Sequence, residues 1–334
     1  MTQACKKSPL HEELPNEPEA IFEYVWNDLD KNYSGFLSGQ TSWRLLYATY
    51  RPLVTAQTTE SELWQILSEM LDELNDEHVK LYGKAELDYF VSGSGKADQA
   101  FEEFSLNLIA EKYLEVFFTP NNFILSGKMQ DSNIAYLYIA AFLDEDPEII
   151  RKSLNLLETY QVDALILDLR NSVGGYDGLA AEYASIFSDS EKHIYNSQYK
   201  DGSGHLDFTS PQAYYSTPRS NDSFDKPIIL LTDAATASEA EIFTLHLRSF
   251  PQVLHIGDTT AGALSTVGPA RFLSNGWRYE YSIERITNPD GSSFEKSGIP
   301  PVYLTKNTEQ SILNQEDLVL EQAMNLIKEK YGIE

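Results

Sequence analysis

A single cysteine, Cys5, excludes an internal disulfide, and no C-x-x-C or paired His/Cys spacing offers a metal cage. No run of about 18 apolar residues is present, so no segment reads as a membrane span. Basic residues are scarce: 25 Lys and Arg stand against 51 Asp and Glu, a net charge of −26. Nucleic acid and anionic membranes both need a basic face, so that balance argues against either as partner. The plain reading of the acidity is solubility. The opening residues do not read as a signal peptide.

The first residues, MTQACKKSPLHEELPNEPEA, are polar. Ala4 before Cys5, with a polar tether after it, is similar to the mature start of a bacterial lipoprotein, although Thr2 and Gln3 fit that pattern poorly. The expectation is an exported, periplasmic or lipid-anchored protein held through Cys5; the other reading is a plain flexible tail over residues 1–16.

At 334 residues, 42% of them hydrophobic, the chain can bury a sizeable core, and one large domain with a smaller helical one is expected. Residues 17–80 read as a helical subdomain. Ile21, Val25 and Leu29 recur at helical spacing, and Thr59-x-x-Glu62 is a capping box opening a helix with an apolar stripe at Leu63, Ile66, Leu67, Met70, Leu71 and Leu74. Residues 81–132 read as a mixed linker and β segment, with a turn at Ser92–Gly95 and a hairpin of 114–118 with 123–125. From 133 to 334 strands and helices alternate: strands at 134–142, 164–168, 227–231 and 253–257, helices at 147–160, 177–187, 238–250 and 316–332, and a hairpin around Asn275-Gly276. Residues 190–226, rich in Ser, Tyr, Gly and Asp, read as a long loop, either a lid over substrate or a disordered excursion.

Two strand–turn–helix segments carry the chemistry. Val162–Gly175, VDALILDLRNSVGG, ends in a glycine pair, and Pro227–Phe243, PIILLTDAATASEAEIF, presents Ser238 at a helix N-terminus. A serine there stands beside backbone N–H groups that can hold an oxyanion. The alternative for Ser238 is an ordinary N-cap, and for Gly174–Gly175 a tight turn. Among candidate bases, His11 lies in the tail, His193 and His205 in the long loop, and His246 and His255 within a helix and a strand as packing residues. His78 ends an amphipathic helix in an acidic turn, where Asp76 and Glu77 are expected to keep it accessible and raise its pKa; the alternative is a surface residue at a helix C-terminus.

These segments resemble the serine peptidase family of C-terminal processing (tail-specific) proteases and the tricorn protease core. The family's D-L-R-x-N-x-G-G-like turn corresponds to Asp168–Gly175, with Ser172 in place of the pattern's Asn. The family's serine, three residues before an acidic and then an apolar residue, corresponds to Ser238, Glu241 and Ile242. The G-x-x-T-x-G turn is Gly257–Gly262, the L-x-D-x-H segment is Leu74–His78, and the acidic residue before G-[IV]-x-P is Glu295, ahead of Gly298-Ile299-Pro300-Pro301. The resemblance covers residues 60–310.

It implies an α/β core of the ClpP/crotonase type, a spiral of ββα units, over 133–334. It also implies a serine-type endopeptidase or carboxyl-terminal processing peptidase that acts on peptides or proteins without a cofactor. Ser238 would be the nucleophile, His78 the general base and Glu295 the third member, with an oxyanion hole from the amides of Glu239 and Gly174 or Gly175. Asp168 and Arg170 would fix their turn. Dyad-type members carry a lysine base where this chain has Ala263, so the chain fits the His-dependent branch. Tricorn's base is preceded by a serine that relays to a glutamate, and here Glu77 holds that place. Residues 82–132 are too few for the PDZ module that many members carry. Two rivals remain: a catalytically silent peptide-binding relative, and an acyl-CoA enzyme of crotonase type that rests on fold analogy alone.

Overall fold

The structure, a computed structural model, describes residues 15–37, 42–84, 89–93, 95–146, 148–219 and 223–333; Cys5, His11 and Ser94 lie outside them. Helices α1 (Pro18–Asn32), α2 (Trp43–Tyr50) and α3 (Glu60–Asp72) come first. Strands β1 (Lys80–Tyr82) and β2 (Tyr89–Val91) follow, then α4 (Gly95–Glu102) and α5 (Leu106–Leu108). The next stretch is β3 (Leu114–Phe118), β4 (Ile124–Met129), β5 (Ile134–Ile139), α6 (Glu148–Glu158), β6 (Ala164–Asp168) and α7 (Leu179–Ala184). After it come β7 (Lys192–Tyr199), β8 (Gln212–Ser216), β9 (Ile228–Thr232), α8 (Glu239–Arg248) and β10 (Val253–Gly257). The chain closes with β11 (Arg271–Phe272), β12 (Arg278–Glu280), β13 (Glu284–Thr287), β14 (Tyr303–Leu304), α9 (Glu309–Leu313) and α10 (Leu318–Tyr331).

The central sheet has the order β14-β10-β9-β6-β5-β4-β3. Strands β5, β6, β9, β10 and β14 run parallel, and β3 and β4 add an antiparallel edge. Every residue of β5, β6 and β9 is buried, as unbroken apolar runs require when both faces are covered. Alternation assigns the faces. Leu165 and Leu167 point into one core with α6, α7 and α8, while Ala164 and Ile166 point into the other with Leu320, Ala323 and Ile327 of α10. Among the described residues no helix is long and apolar enough to cross a membrane.

The expected ClpP/crotonase-like spiral is corrected here. Neighbouring parallel strands β5 and β6 are joined by the single crossover α6, and β9 and β10 by α8, so the repeat is βαβ within one open sheet rather than a spiral of ββα units. The strand–helix alternation is visible in the local pattern, but the pairing order is a long-range property that the pattern does not encode.

Two smaller sheets flank this core, and both join parts of the chain that are far apart. One has the order β11-β12-β1-β2 and is covered by the N-terminal helices. Ile21, Phe22, Val25 and Leu29 of α1 and Leu63, Leu67 and Met70 of α3 pack in one cluster with Trp277, Tyr279 and Tyr281. The capping box at Thr59–Glu62 is present and sets the start of α3. The stretch 81–132 takes part in two sheets: its first part pairs with β12, and its hairpin of β3 and β4 supplies the edge of the central sheet. The other small sheet has the order β13-β7-β8, and its strands β7 and β8 lie within what the composition marks as the 190–226 loop. Alternating half-buried Tyr, Ser and Asn residues, lacking an apolar run, conceal strands whose partner β13 is some ninety residues away.

Candidate active site

Three turns follow the carboxyl ends of β6, β9 and β10 and are tied to one another. The Thr236 hydroxyl donates to the Leu169 carbonyl at 2.8 Å, the Ala237 amide to Ser172 at 3.0 Å, and the Ala261 amide to Thr236 at 3.0 Å. The Asp233 carboxylate takes the amides of Asn171 and Ala235, both at 3.0 Å. Behind the first turn, buried Arg170 bridges Asp168 at 2.6 Å and Asp317 at 2.8 Å, a fixing role that matches its expected one. Carboxyl ends of parallel strands are where open α/β sheets place ligands.

Ser238 sits at the start of α8 with φ 58° and ψ −125°, a conformation that a side chain rarely adopts. Such backbone costs about 1–3 kcal/mol and persists only when its surroundings fix it. Here the Ser238 amide donates to the Ala263 carbonyl at 3.0 Å and to Glu241 Oε2 at 3.2 Å. Glu241, fully buried, also takes the Thr260 hydroxyl at 2.5 Å and the amides of Gly262 at 2.9 Å and Ala263 at 2.8 Å. Burial pushes its carboxyl up to about 7 against the pull of those bonds. Glu241 thus locks the serine turn onto the turn after β10.

Gly174 lies directly against the serine. With φ 83°, a Cβ there would stand 2.6 Å from Ser238 Cβ and 2.9 Å from the Glu239 nitrogen. A Cβ on Gly175 would meet the Phe142 carbonyl oxygen at 2.0 Å. Only glycine permits either approach. Among the described residues the amides of Gly174, Gly175 and Glu239 donate to no protein acceptor. Unpaired N–H groups beside a serine are the kind of donor an oxyanion hole uses. Gly174→Ala keeps the amide but has no room for its Cβ, so it should displace the Ser238 turn and the Glu239 amide and lower turnover of a peptide by about 100-fold or more, the scale of one misplaced donor, with a lower melting temperature. Steady-state kinetics on a quenched peptide beside a thermal melt checks this.

His78 is placed differently from expectation. It is 6% exposed rather than accessible. Burial lowers its pKa, and this outweighs the opposite pull of Asp76. The ring is therefore neutral near pH 7, the state a general base needs. Asp76 Oδ1 takes the His78 backbone amide at 2.9 Å, and Oδ2 takes the Tyr33 hydroxyl at 2.7 Å. Ser282, which directly follows Tyr281 after β12, reaches Asp76 Oδ2 at 3.3 Å and His78 Nδ1 at a long 3.4 Å. Ser282 was not legible from sequence, since it lies 204 residues from His78.

Glu295 does not touch the His78 ring. Its Oε2 takes the amides of Leu264 at 3.2 Å and Ser265 at 3.1 Å, and its buried Oε1 has no partner among the described residues. Burial, reinforced by the Asp76 charge, raises its pKa. Lys296 is engaged elsewhere, donating to the Leu74 carbonyl at 3.0 Å and lying over the Tyr33 ring. His246 and His255 are buried inside the core, as expected of packing residues.

No hydrogen bond joins Ser238 Oγ to the His78 ring; a strap of chain connects their surroundings. It begins at Ala263, which accepts from the Ser238 amide, and reaches Val267, which bridges to Ser282 beside His78. Ala263 to Val267 spans at most about 14 Å. Asp177, which lines the cleft at Ser238, is also near enough to act on His78 electrostatically. That cleft has a volume of ≈ 300 Å³. A cavity of ≈ 450 Å³ lies on the other side of the sheet ends, beside Arg170 and Asp233, and does not include Ser238. Among the described residues no group of three or more His, Cys, Asp or Glu could hold a metal ion.

Residues 133–304 match the profile of peptidase family S41, and residues 14–72 match the tricorn protease C1 domain. The chain belongs to peptidase family S41. Within the family it is similar to the carboxy-terminal processing protease CtpA of Bacillus subtilis, 29% identical over 175 residues, which are 52% of this chain and 35% of CtpA. It thus spans about a third of the length of such curated relatives. A candidate peptidase from Parabacteroides merdae has a similar structure, with a TM-score of 0.84 and 26% identity over 94% of this chain and 97% of that one. The tricorn protease gives 0.54 and 16%, over 94% of this chain and 37% of tricorn. These likenesses place the S41 chain in the processing-protease and tricorn fold, with its N-terminal helical cap, and complete the correction of the spiral ββα expectation. The acyl-CoA rival, which rested on that spiral, loses its support.

Proposed function

We propose that this S41 chain is a serine-type peptidase that cuts peptides or proteins through an acyl-enzyme on Ser238. The observation that carries the reading is the strained Ser238 turn, held by Glu241 against the unpartnered amides of Gly174, Gly175 and Glu239. In the mechanism, Ser238 Oγ attacks the scissile carbonyl carbon while His78 takes its proton. The amide of Glu239 and that of Gly174 or Gly175 hold the oxyanion. His78 then protonates the leaving amine, and water, deprotonated by His78, hydrolyses the ester.

Ser282 and Asp76 position the base. Although Glu77 takes the place of tricorn's serine, the Ser282 hydroxyl stands between His78 Nδ1 and Asp76 Oδ2 and would do a relay serine's work. Hydrogen bonds of this kind are long in unliganded sites and tighten around substrate. Glu295, holding the strap at Leu264 and Ser265, would act through that strap and not on the ring. Export to the periplasm or cell envelope, with Cys5 as a lipid attachment point, belongs to the same reading, as does carboxyl-terminal processing of the substrate.

The pH profile tests the base. His78 must be neutral to accept the proton, so kcat/KM should rise with pH through an acid limb whose midpoint lies below 6.5, the ordinary histidine value. Asp76 favours the imidazolium, so Asp76→Asn should move that midpoint further down. A limb that Asp76→Asn leaves in place contradicts the assignment. A catalytically silent, peptide-binding relative would bind peptides and give no rate at any pH.

A further inference from the structure

We infer that the cleft beside Ser238 receives a lysine or arginine side chain of the substrate, next to the bond that is cut. The inference rests on the peptidase reading for its substrate class and on the lining of the cleft for its specificity. Ile242, Leu264 and Ile286 give the cleft an apolar floor, and Tyr195, Tyr199 and Tyr214 form its wall. Three carboxyl residues, Asp177, Glu239 and Glu284, line it, and among the described residues no lysine, arginine or histidine does.

None of the three carboxylates has an ion-pair partner among the described residues. Each is held by neutral donors. Glu239 Oε1 takes the Ala180 amide at 2.7 Å, Glu284 takes the Thr266 amide at 3.1 Å and the Ser197 hydroxyl, and Asp177 takes the Thr266 hydroxyl at 3.2 Å. Carboxylate oxygens accept more than one bond, so acceptor capacity remains. Burial pushes Glu239 up to about 7, and the charges of Asp177 and Glu284 push the same way. Near pH 7 Glu239 is therefore only partly ionised, and a cation seated among the three carboxyl groups would favour its charged form.

The shape agrees with the charge. A lysine or arginine carries an apolar stem under a cationic head, and the cleft offers an apolar floor under carboxylates. The rings of Tyr195 and Tyr214 stack at 4.7 Å and 5°, and the electron-rich face of a tyrosine ring attracts a cation. The converse also holds. An acidic side chain, or the free carboxylate of a peptide end, would enter unpaired against three carboxylates and is rejected. The cleft therefore does not seat a substrate's C-terminus.

The test uses quenched peptides that differ only at the residues flanking the scissile bond, carrying lysine, norleucine or glutamate. Norleucine has a similar linear stem and no charge. For the wild-type chain, kcat/KM with lysine should exceed norleucine by about tenfold or more, with glutamate poorest. Asp177→Asn and Glu239→Gln should each shrink the lysine-to-norleucine ratio several-fold; the ratio is internal to each variant, so a general loss of activity cancels. Norleucine matching lysine in the wild type, or a ratio unmoved in both variants, overturns the cleft assignment and leaves the peptidase reading standing. Calorimetric titration of Ser238→Ala with the lysine and glutamate peptides separates the two claims. Tighter lysine binding without wild-type cleavage supports the cleft and sinks the peptidase reading. Equal affinities sink the cleft.

Discussion

Ser238→Ala should lower peptide hydrolysis by about 10,000-fold or more while the protein stays folded. Loss of the nucleophile in a serine hydrolase removes nearly all of the chemical acceleration, leaving only what substrate binding and the oxyanion hole supply. The structure gives a reason to expect the fold to survive. The turn is held through the Ser238 backbone amide, by Ala263 and Glu241, and those bonds do not involve the hydroxyl. Alanine has the same Cβ, so it meets the same positive φ and the same contact with Gly174. A thermal melt near that of the wild type, beside a collapsed kcat, is the expected pair of results. A kcat within tenfold of the wild type would place the nucleophile elsewhere.

His78→Ala should cost activity on a similar scale, about 10,000-fold or more, because nucleophile and base act as one unit. The size of the effect follows from how the lysines and core histidines are placed. Ala263 stands where a lysine base would be, and Lys296 is committed to the Leu74 carbonyl. His246 and His255 are enclosed in the core, with pKa values pushed down to about 4 and about 3 by burial. Removing a buried ring also leaves a cavity, so His78→Gln, which keeps most of the volume and a hydrogen-bonding end, is the paired control. Asp76 keeps the residue-78 backbone amide in either variant. Loss in both variants with wild-type-like melting marks a chemical role. Recovery in His78→Gln marks a structural one.

Much of this site was legible because its parts are local. The strands β6 and β9 carry the apolar runs 164–167 and 228–231, and the small-residue turns after them announce Gly174–Gly175 and Ser238. The Thr59–Glu62 capping box and the Asn275-Gly276 hairpin are equally local, and both are present. What stayed hidden is whatever depends on distant pairing. Ser282 meets His78 only because the stretch after β12 folds against the N-terminal cap. Two tyrosines of the cleft, Tyr195 and Tyr199, come from β7 and the third, Tyr214, from β8, a segment whose composition reads as loop. The His78 pKa was misjudged for the same reason: Asp76 is a sequence neighbour and visible, whereas the burial that outweighs it comes from the packing of separate segments. The order of the central sheet, and with it the fold type, is likewise set by contacts across the chain.

The most direct measurement of the central claim is covalent labelling with a fluorophosphonate, read by mass spectrometry of the intact protein and of its peptides. The account predicts one adduct on the wild-type chain, located on Ser238, and its near disappearance in a folded His78→Gln or His78→Ala protein. Labelling at another residue, or labelling of Ser238 at an undiminished rate without His78, would contradict it.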